Sequence, residues 1–163
     1  MKKRILSVLV SVAAFSTMIF VPGIDVTASD SEPIMVDGSY LTHEDSSTGN
    51  TLSNARGEYL MTGECSISKA GLTRVYSYAS TTANYSIDYI MTIGYVEQYH
   101  PDVEKWGQVD YYYDDIENTY YLSLDKSVKV DRGYYYRTRA NHIVRHNGVY
   151  EETASATNGI FLP

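Results

Sequence analysis

The strongest constraint on the fold is a period-two alternation over residues 85–95. Aromatic and large apolar side chains occupy every second position from Tyr85 to Tyr95, and the intervening positions are more polar. Because the side chains of a β-strand point alternately to its two faces, this pattern predicts a strand with two unlike faces. Proline cannot donate a ladder hydrogen bond, so the strand is expected to end near His100 and Pro101.

Similar short segments recur along the rest of the chain. Residues 73–82, 106–113, 119–124, 126–130, 134–145 and 149–157 are rich in β-branched and aromatic residues. No segment outside the first 28 residues shows a convincing 3.6-residue period. Many short strands separated by frequent turns are typical of sandwiches and barrels. We therefore predict an all-β fold, a single antiparallel β-sandwich over residues 58–163.

The first 28 residues have the pattern of a secretory signal peptide. Lys2, Lys3 and Arg4 precede a largely apolar stretch over 5–21, and small residues allow cleavage after Ala28. The alternative is an uncleaved membrane anchor, but a span needs about 20 apolar residues and this stretch is slightly shorter. We expect a secreted, extracellular protein that meets the membrane only through this segment before cleavage.

Residues 29–57 separate the signal segment from the predicted sandwich. They are polar and acidic and contain almost no periodic apolar residues. Such a segment buries too little surface to offset the entropy of ordering it. We predict a flexible polar leader, with at most a short paired stretch near 34–36.

Composition excludes several functional classes. The 163 residues carry a formal charge of −7, and an acidic chain lacks the excess of lysine and arginine that nucleic-acid binding needs. The single cysteine, Cys65, rules out an intrachain disulfide, a multi-thiolate zinc site and a C-x-x-C redox pair. Because Cys65 lies in an alternating segment, we predict a small, buried core residue.

The last hairpin can be assigned a register from its sequence. Asn147 and Gly148 are a strong signal for a two-residue turn, which would pair His146 with Val149. A three-residue loop would instead pair Arg145 with Val149. Only the second register separates apolar from polar side chains, and register usually follows the buried face. We therefore predict the three-residue loop.

Residues of this hairpin resemble a known family. The segment Gly-Tyr-Tyr-Tyr-Arg at 133–137, the following turn and the strand after it resemble the last two strands of a fibronectin type III-like or immunoglobulin-like sandwich. More closely, residues 71–160 resemble small exported proteins of unknown function from Gram-positive, clostridia-type bacteria, which share the Glu97-Gln98 pair and Trp106. The resemblance implies a sandwich and carries no catalytic residue.

The histidines are the first candidates for chemistry. His142 and His146 have the H-x-x-x-H spacing of a helical zinc site, but on a strand four residues span about 13 Å, so no shared metal is expected. The predicted register places His142 opposite Glu152, where a carboxylate could orient an imidazole for acid–base work. The simpler interpretation, which we favour, is a half-buried polar pair. No serine or cysteine is placed to complete a nucleophilic set, so we predict a non-enzymatic protein.

The acidic stretch 110–117 is a candidate cation site. Calcium needs six to eight oxygen ligands, and this stretch could supply several. It lacks the residue order of a calcium-binding loop, so we interpret it as a solvated acidic segment. We predict no metal and no cofactor.

Seventeen tyrosines are more than one small core needs. Alternation places Tyr111 and Tyr113 on one face and Tyr112 on the other, and it separates Tyr135 from its neighbours. Aromatic pairs across strands can simply stabilise a sheet, but exposed ones offer rigid contact area for a partner. We therefore name Trp106, Tyr111, Tyr112, Tyr113 and Tyr135 as candidate binding residues.

The function predicted from these features is a secreted, non-enzymatic module that binds an extracellular protein or glycan. The alternative is a bacteriocin-like effector that acts on other cells, which the small size of the chain would fit. Strong negative charge counts against that alternative, because bacterial envelopes are themselves anionic. Nucleic acid is not expected as a partner.

Overall fold

The computed structural model of the protein describes residues 33–51 and 57–163. Its nine strands are β1 (Met35–Val36), β2 (Ser39–Thr42), β3 (Ser46–Asn50), β4 (Leu60–Lys69), β5 (Arg74–His100), β6 (Lys105–Lys129), β7 (Tyr134–His146), β8 (Val149–Ala156) and β9 (Gly159–Leu162). These residues contain no helix, and so none that could cross a membrane; the all-β prediction is confirmed. The predicted signal peptide over 1–28 lies outside them.

Strands β5 and β6 form one long hairpin of 27 and 25 residues. Its turn lies at 101–104, where the sequence predicts the end of a strand. Each strand joins segments that the sequence pattern separates, because register shifts near 82–87 and 96–97 bend the ladder without ending it.

All nine strands belong to one hydrogen-bonded sheet with the order β1-β2-β9-β7-β5-β4-β3, in which β6 pairs with β5 and β8 with β7. The first half of β5 pairs with β4 and the second half with β7, on the side away from β6. The pairing of β2 with β9 is parallel. The structure thus differs from the predicted antiparallel sandwich in having one continuous sheet with one parallel pairing.

The sheet curls so that its inner faces pack together. We call β3, β4, the first half of β5 and the second half of β6 the β4 layer. The β7 layer comprises the first half of β6, the second half of β5, and β7, β8 and β9. The two layers touch closely: a Cβ on Gly63 of β4 would lie 2.2 Å from the His142 ring of β7. Cys65 Sγ of β4 also lies 3.6 Å from the carbonyl oxygen of Thr138 in β7.

Apolar clusters alternate with hydrogen-bonded polar groups between the layers. The buried apolar side chains form three clusters: Ile67, Val75, Val96, Val128, Val130, Tyr136, Ile160 and Leu162; Tyr59, Leu60, Ala83, Ile87, Ile90, Leu122 and Val144; and Cys65, Ala79 and Ala140. Between them, Ser77 Oγ bonds the hydroxyls of Tyr112 (2.7 Å) and Thr138 (2.6 Å). A second polar group joins Thr81, Thr92, His142 and Ser155.

From Ile90 onward, the more polar side of the 85–95 alternation is the buried one, whereas Ile87 of the apolar side is buried before it. Thr92 and Gly94 face the core, whereas Tyr89, Ile93 and Tyr95 lie half-exposed on the outer face. Gly94 leaves the space that the Tyr112 ring occupies, since a Cβ there would lie 2.3 Å from that ring. Buried threonine is tolerated because its hydroxyl is hydrogen-bonded.

Cys65 is fully buried, as predicted from its alternating segment. Burial raises the pKa of its thiol to about 11. The thiolate is the reactive form of cysteine, so this side chain is chemically inert in the folded protein.

The predicted register of the last hairpin is wrong. His146 pairs with Val149 across a two-residue turn, and both Asn147 (φ 50°) and Gly148 (φ 81°) adopt positive φ. A turn with positive φ at both central positions matches the twist of a hairpin, which explains the Asn-Gly sequence.

This register is stable because the polar side chains on the inner face of β8 form hydrogen bonds. The carboxylate of Glu151 accepts hydrogen bonds from the backbone N–H groups of Glu58 (2.7 Å), Tyr59 (3.1 Å) and Leu60 (2.9 Å). Ser155 bonds the buried His142 ring at 2.8 Å. Sorting by polarity alone misses such specific partners.

The segment predicted as a flexible leader also differs from expectation. Within it, residues 33–51 contain β1, β2 and β3, and β3 pairs with β4 along its whole length. Buried Ser39 donates a hydrogen bond of 2.7 Å to the carbonyl oxygen of Thr157. Polar residues join this sheet through hydrogen bonds rather than through apolar burial.

Candidate functional site

The outer face of the β7 layer carries two adjacent rows of aromatic and apolar side chains. Cross-strand pairing aligns the first row in the order Tyr111, Tyr95, Arg139 and Ala156, from β6 to β8. The second row consists of Tyr113, Ile93, Asn141 and Ala154. We call these eight residues the tyrosine face.

Tyr111 and Tyr113 are the most exposed aromatic members of this face, at 53 and 58%. Their rings are nearly parallel, with an interplanar angle of 6° and centroids 6.4 Å apart. Tyr112 points the other way, and burial raises the pKa of its phenol, whose oxygen bonds Ser77. Tyr112 is therefore removed from the predicted binding surface.

Arginine guanidinium groups stack on the outer tyrosines. Arg139 lies 4.2 Å from the centroid of Tyr95, and Arg145 lies 5.0 Å from that of Tyr89. Attraction between a cation and the negative face of an aromatic ring holds each guanidinium over its ring. The stacking fixes the positions of planar hydrogen-bond donors beside the aromatic rings.

A cavity of about 410 Å³ opens beside the tyrosine face. Its lining residues are Val36, Asp37, Glu97, Glu104, Lys105, Trp106, Arg137 and Arg139. We call it the Arg137 pocket. Glu97 joins two arginines within it, accepting from Arg137 Nε at 2.7 Å and from Arg139 Nε at 3.1 Å.

Arg137 is almost completely buried, at 2% side-chain exposure. Its Nη1 donates to the Asp37 carbonyl oxygen (3.1 Å) and to Ser39 Oγ (2.9 Å), and its Nη2 donates to the Asp37 carboxylate (3.0 Å). The guanidinium also lies 4.5 Å from the ring centroid of Trp106. A buried charge is tolerated only with such partners, so this network fixes the floor of the pocket.

Two turns form the rim of the pocket. Asp37 lies in the β1–β2 turn with φ of 49°, and Glu104 lies in the β5–β6 turn with φ of 52°. Trp106 Nε1 donates to the Val36 carbonyl oxygen at 3.1 Å, which ties the first turn to β6. The predicted binding residue Trp106 is thus half-buried in the pocket wall.

Tyr135, the remaining predicted binding residue, lies elsewhere. Its ring packs against Phe161 and His43, with centroids 5.0 and 5.8 Å away. It shares a strand face with Arg139 but is four residues distant, which corresponds to about 13 Å. The structure therefore brings Tyr111 and Tyr113 together and leaves Tyr135 apart.

The predicted pairing of His142 with Glu152 does not form. The two-residue turn places Thr153 opposite His142, whose Nδ1 bonds Thr81 Oγ1 (2.9 Å) inside the core. Burial lowers the pKa of His142 to about 4. Glu152 lies on the outer face and accepts a hydrogen bond from Asn141 (3.1 Å). The two residues cannot act together on a substrate.

The site depends most on Glu97 and Arg137, which the sequence indicates only through the family resemblance. A usable signal was present, because each is a charged residue directly after aromatic and apolar ones: Glu97 follows Tyr95 and Val96, and Arg137 follows three tyrosines. Among the residues that the structure describes, no group of three or more histidine, cysteine, aspartate and glutamate side chains could hold a metal ion.

These features define an all-β protein with a curled sheet, an exposed aromatic outer face and an adjoining charged pocket. A family model, described as a family of unknown function (DUF6147), matches residues 27–160, and the chain belongs to that family. No curated protein matches the chain.

Proposed function

We propose that this protein is a secreted, non-enzymatic module that binds an extracellular protein or glycan through the tyrosine face. The observation that carries the proposal is the row formed by Tyr111, Tyr95 and Arg139, together with the neighbouring Tyr113. The rings of Tyr111 and Tyr113 are more than half exposed.

The positions of Tyr111 and Tyr113 are not explained by core packing. Core packing does not require Tyr111 and Tyr113, because the inward Tyr112 already fills the space over Gly94. Exposed tyrosines lose little conformational entropy on binding and provide both apolar contact and a hydroxyl group. An aromatic cluster on a sheet face is thus suited to a flat partner surface.

Two further features support action outside the cell. The pattern of residues 1–28 is that of a secretory signal peptide. The single thiol, Cys65, is buried with a raised pKa, which suits an oxidising exterior where exposed thiols would form intermolecular disulfides.

The proposal is tested with a double variant, Tyr111→Ser with Tyr113→Ser. Purified wild-type and variant proteins are passed over bacterial cell walls, mucin-type glycans and extracellular protein extracts. We expect the wild type to be retained on one ligand class and the variant to lose at least ten-fold in affinity. Thermal unfolding should change little, because both rings are exposed.

Tyr120→Ser is the matched control, because Tyr120 lies on the same strand and is 60% exposed. Its retention should equal that of the wild type. Equal binding by the double variant would show that the tyrosine face is not the binding surface. Growth inhibition of other bacteria without any retention would favour the effector alternative instead.

A further inference from the structure

We propose that the Arg137 pocket binds the carboxylate of an acidic, uronic acid-containing glycan whose neighbouring sugar rings lie on the tyrosine face. This inference rests on the proposed function and specifies its ligand class. It is carried by the charge arrangement of the pocket, by uncommitted donors in its wall and by its continuity with the tyrosines.

Two arginines of the pocket share a single buried carboxylate. Arg137 and Arg139 share one carboxylate, Glu97, and each of its two oxygens already accepts from one arginine. Asp37 also pairs with Arg137, and Glu104 lies on the rim. Both side chains are exposed, that of Asp37 at 78%, so water screens their charges. An anion placed beside Arg139 would therefore meet incompletely neutralised positive charge.

The pocket wall also contains donors that the protein does not use. Among the described residues, Arg139 Nη2 makes no hydrogen bond, and neither does the ammonium group of Lys105. Guanidinium groups bind carboxylates through paired, charge-assisted hydrogen bonds. Stacking on Tyr95 holds Arg139 in place, which reduces the entropy lost when it binds a ligand.

The pocket and the tyrosine face form one continuous surface because Arg139 belongs to both. Neighbouring strands are about 4.8 Å apart, so Tyr111 lies two strand spacings, or roughly 10 Å, from Arg139 across Tyr95. This distance matches a short run of sugar rings. Neither row of the tyrosine face contains a carboxylate. Asp115 and Glu117 lie beyond Tyr113, and Glu152 lies beside Asn141, which donates a hydrogen bond to it.

A glycan is favoured over an extended peptide because the nearby sheet edge is partly capped. Extended peptides usually bind by adding a strand to a free edge. The Tyr111 N–H donates to its neighbour Asp110 (2.8 Å), and the Tyr111 carbonyl accepts from Lys126 (3.3 Å). The Asp115 N–H is likewise bonded to Asp114 (2.9 Å). A sugar chain lying across the face needs none of these backbone groups.

The test measures binding of the purified protein to polygalacturonate, with methyl-esterified polygalacturonate as the uncharged control. We expect binding to the acid form, at least ten-fold weaker binding to the ester, and weakening with added salt. Arg139→Gln should lose about ten-fold or more, and Lys105→Gln several-fold. Arg74→Gln, the same charge change at an exposed arginine of the β4 layer, should bind within two-fold of the wild type.

The outcomes separate this inference from the function on which it rests. Equal binding of acid and ester forms, or unchanged binding by a folded Arg139→Gln variant, would overturn the carboxylate pocket. Tyrosine-dependent binding to some other ligand, with none to polygalacturonate, would overturn the pocket and leave the binding module standing. Arginine-dependent binding that survives the Tyr111→Ser and Tyr113→Ser changes would support the pocket and reject the tyrosine face. Equal displacement by a carboxylate-ended peptide would reject a glycan-specific site.

Discussion

Acidification should lower the free energy of unfolding by a calculable amount, because His142 is buried as a neutral imidazole. Its ring nitrogens bond the hydroxyls of Thr81 (2.9 Å) and Ser155 (2.8 Å), and neither hydroxyl can neutralise an imidazolium. Burial lowers the pKa of His142 from 6.5 to about 4. The unfolded chain therefore takes up a proton near pH 6.5, whereas the folded chain takes it up only near pH 4.

The sign and size of the effect follow from this difference. Above pH 6.5 the group is neutral in both states and does not affect the free energy of unfolding. Between pH 6.5 and 4 only the unfolded state binds the proton, so the free energy of unfolding falls as the pH falls. Below pH 4 both states bind the proton, and the loss no longer changes with pH. Each pKa unit corresponds to about 1.4 kcal/mol, so the total loss is about 3 kcal/mol.

The measurement is urea-induced unfolding at pH 7.5 and pH 4.2 for the wild type and the His142→Asn variant. Carboxylates that titrate in both proteins cancel when the two are compared at each pH. The stability advantage of the wild type should shrink by about 3 kcal/mol at the lower pH. His43→Asn, at an exposed position, is the control and should show no such change. An advantage that stays the same at both pH values would refute the burial argument.

Three further predictions concern packing and charge. Arg137→Met leaves the buried Glu97 carboxylate without its main partner and should lower the free energy of unfolding by about 3–5 kcal/mol in urea titrations; wild-type stability would contradict this. Gly63→Ala places a methyl group against the His142 ring and should cost about 1–3 kcal/mol or more, measured by thermal unfolding; a loss below 0.5 kcal/mol would show that the layers separate easily. Cys65 should react with a thiol reagent at pH 8 only after unfolding, and rapid labelling of the native protein would disprove its burial.

Strand content was predictable because alternation is a local property. The 85–95 pattern, the turn at 101–104 and the burial of Cys65 all follow from a few neighbouring residues. The continuity of β5 was not predictable in the same way. Its bend near 82–87 contains no proline or glycine, and only the pairing with β6 shows that the strand continues.

The register of the last hairpin cannot be predicted from residue polarity alone. The register chosen to bury apolar residues is wrong because Glu151 and Ser155 face inward to specific partners. Those partners, the backbone N–H groups of 58–60 and the imidazole of His142, are distant in sequence. Hydrogen bonds across the fold decide this register, and a single strand pattern contains no information about them.

Only part of the candidate site could be predicted from the sequence. Alternation predicts that Tyr111 and Tyr113 share a face, and the structure places them side by side. The Arg137 pocket depends on β1, β5, β6 and β7 meeting at one place, which no local pattern reveals. The aromatic half of the site was therefore accessible from sequence, whereas its charged half required the fold.

The long β5–β6 hairpin affects how the molecule unfolds. Each of its strands runs through both layers, so neither layer has a complete set of strands of its own. If the β4 layer opened, the first half of β5 would lose its neighbouring strands while the second half stayed paired with β7. Partial unfolding of one layer thus exposes the core of the other. The curled sheet should therefore melt as a single cooperative unit, without a stable half-folded intermediate.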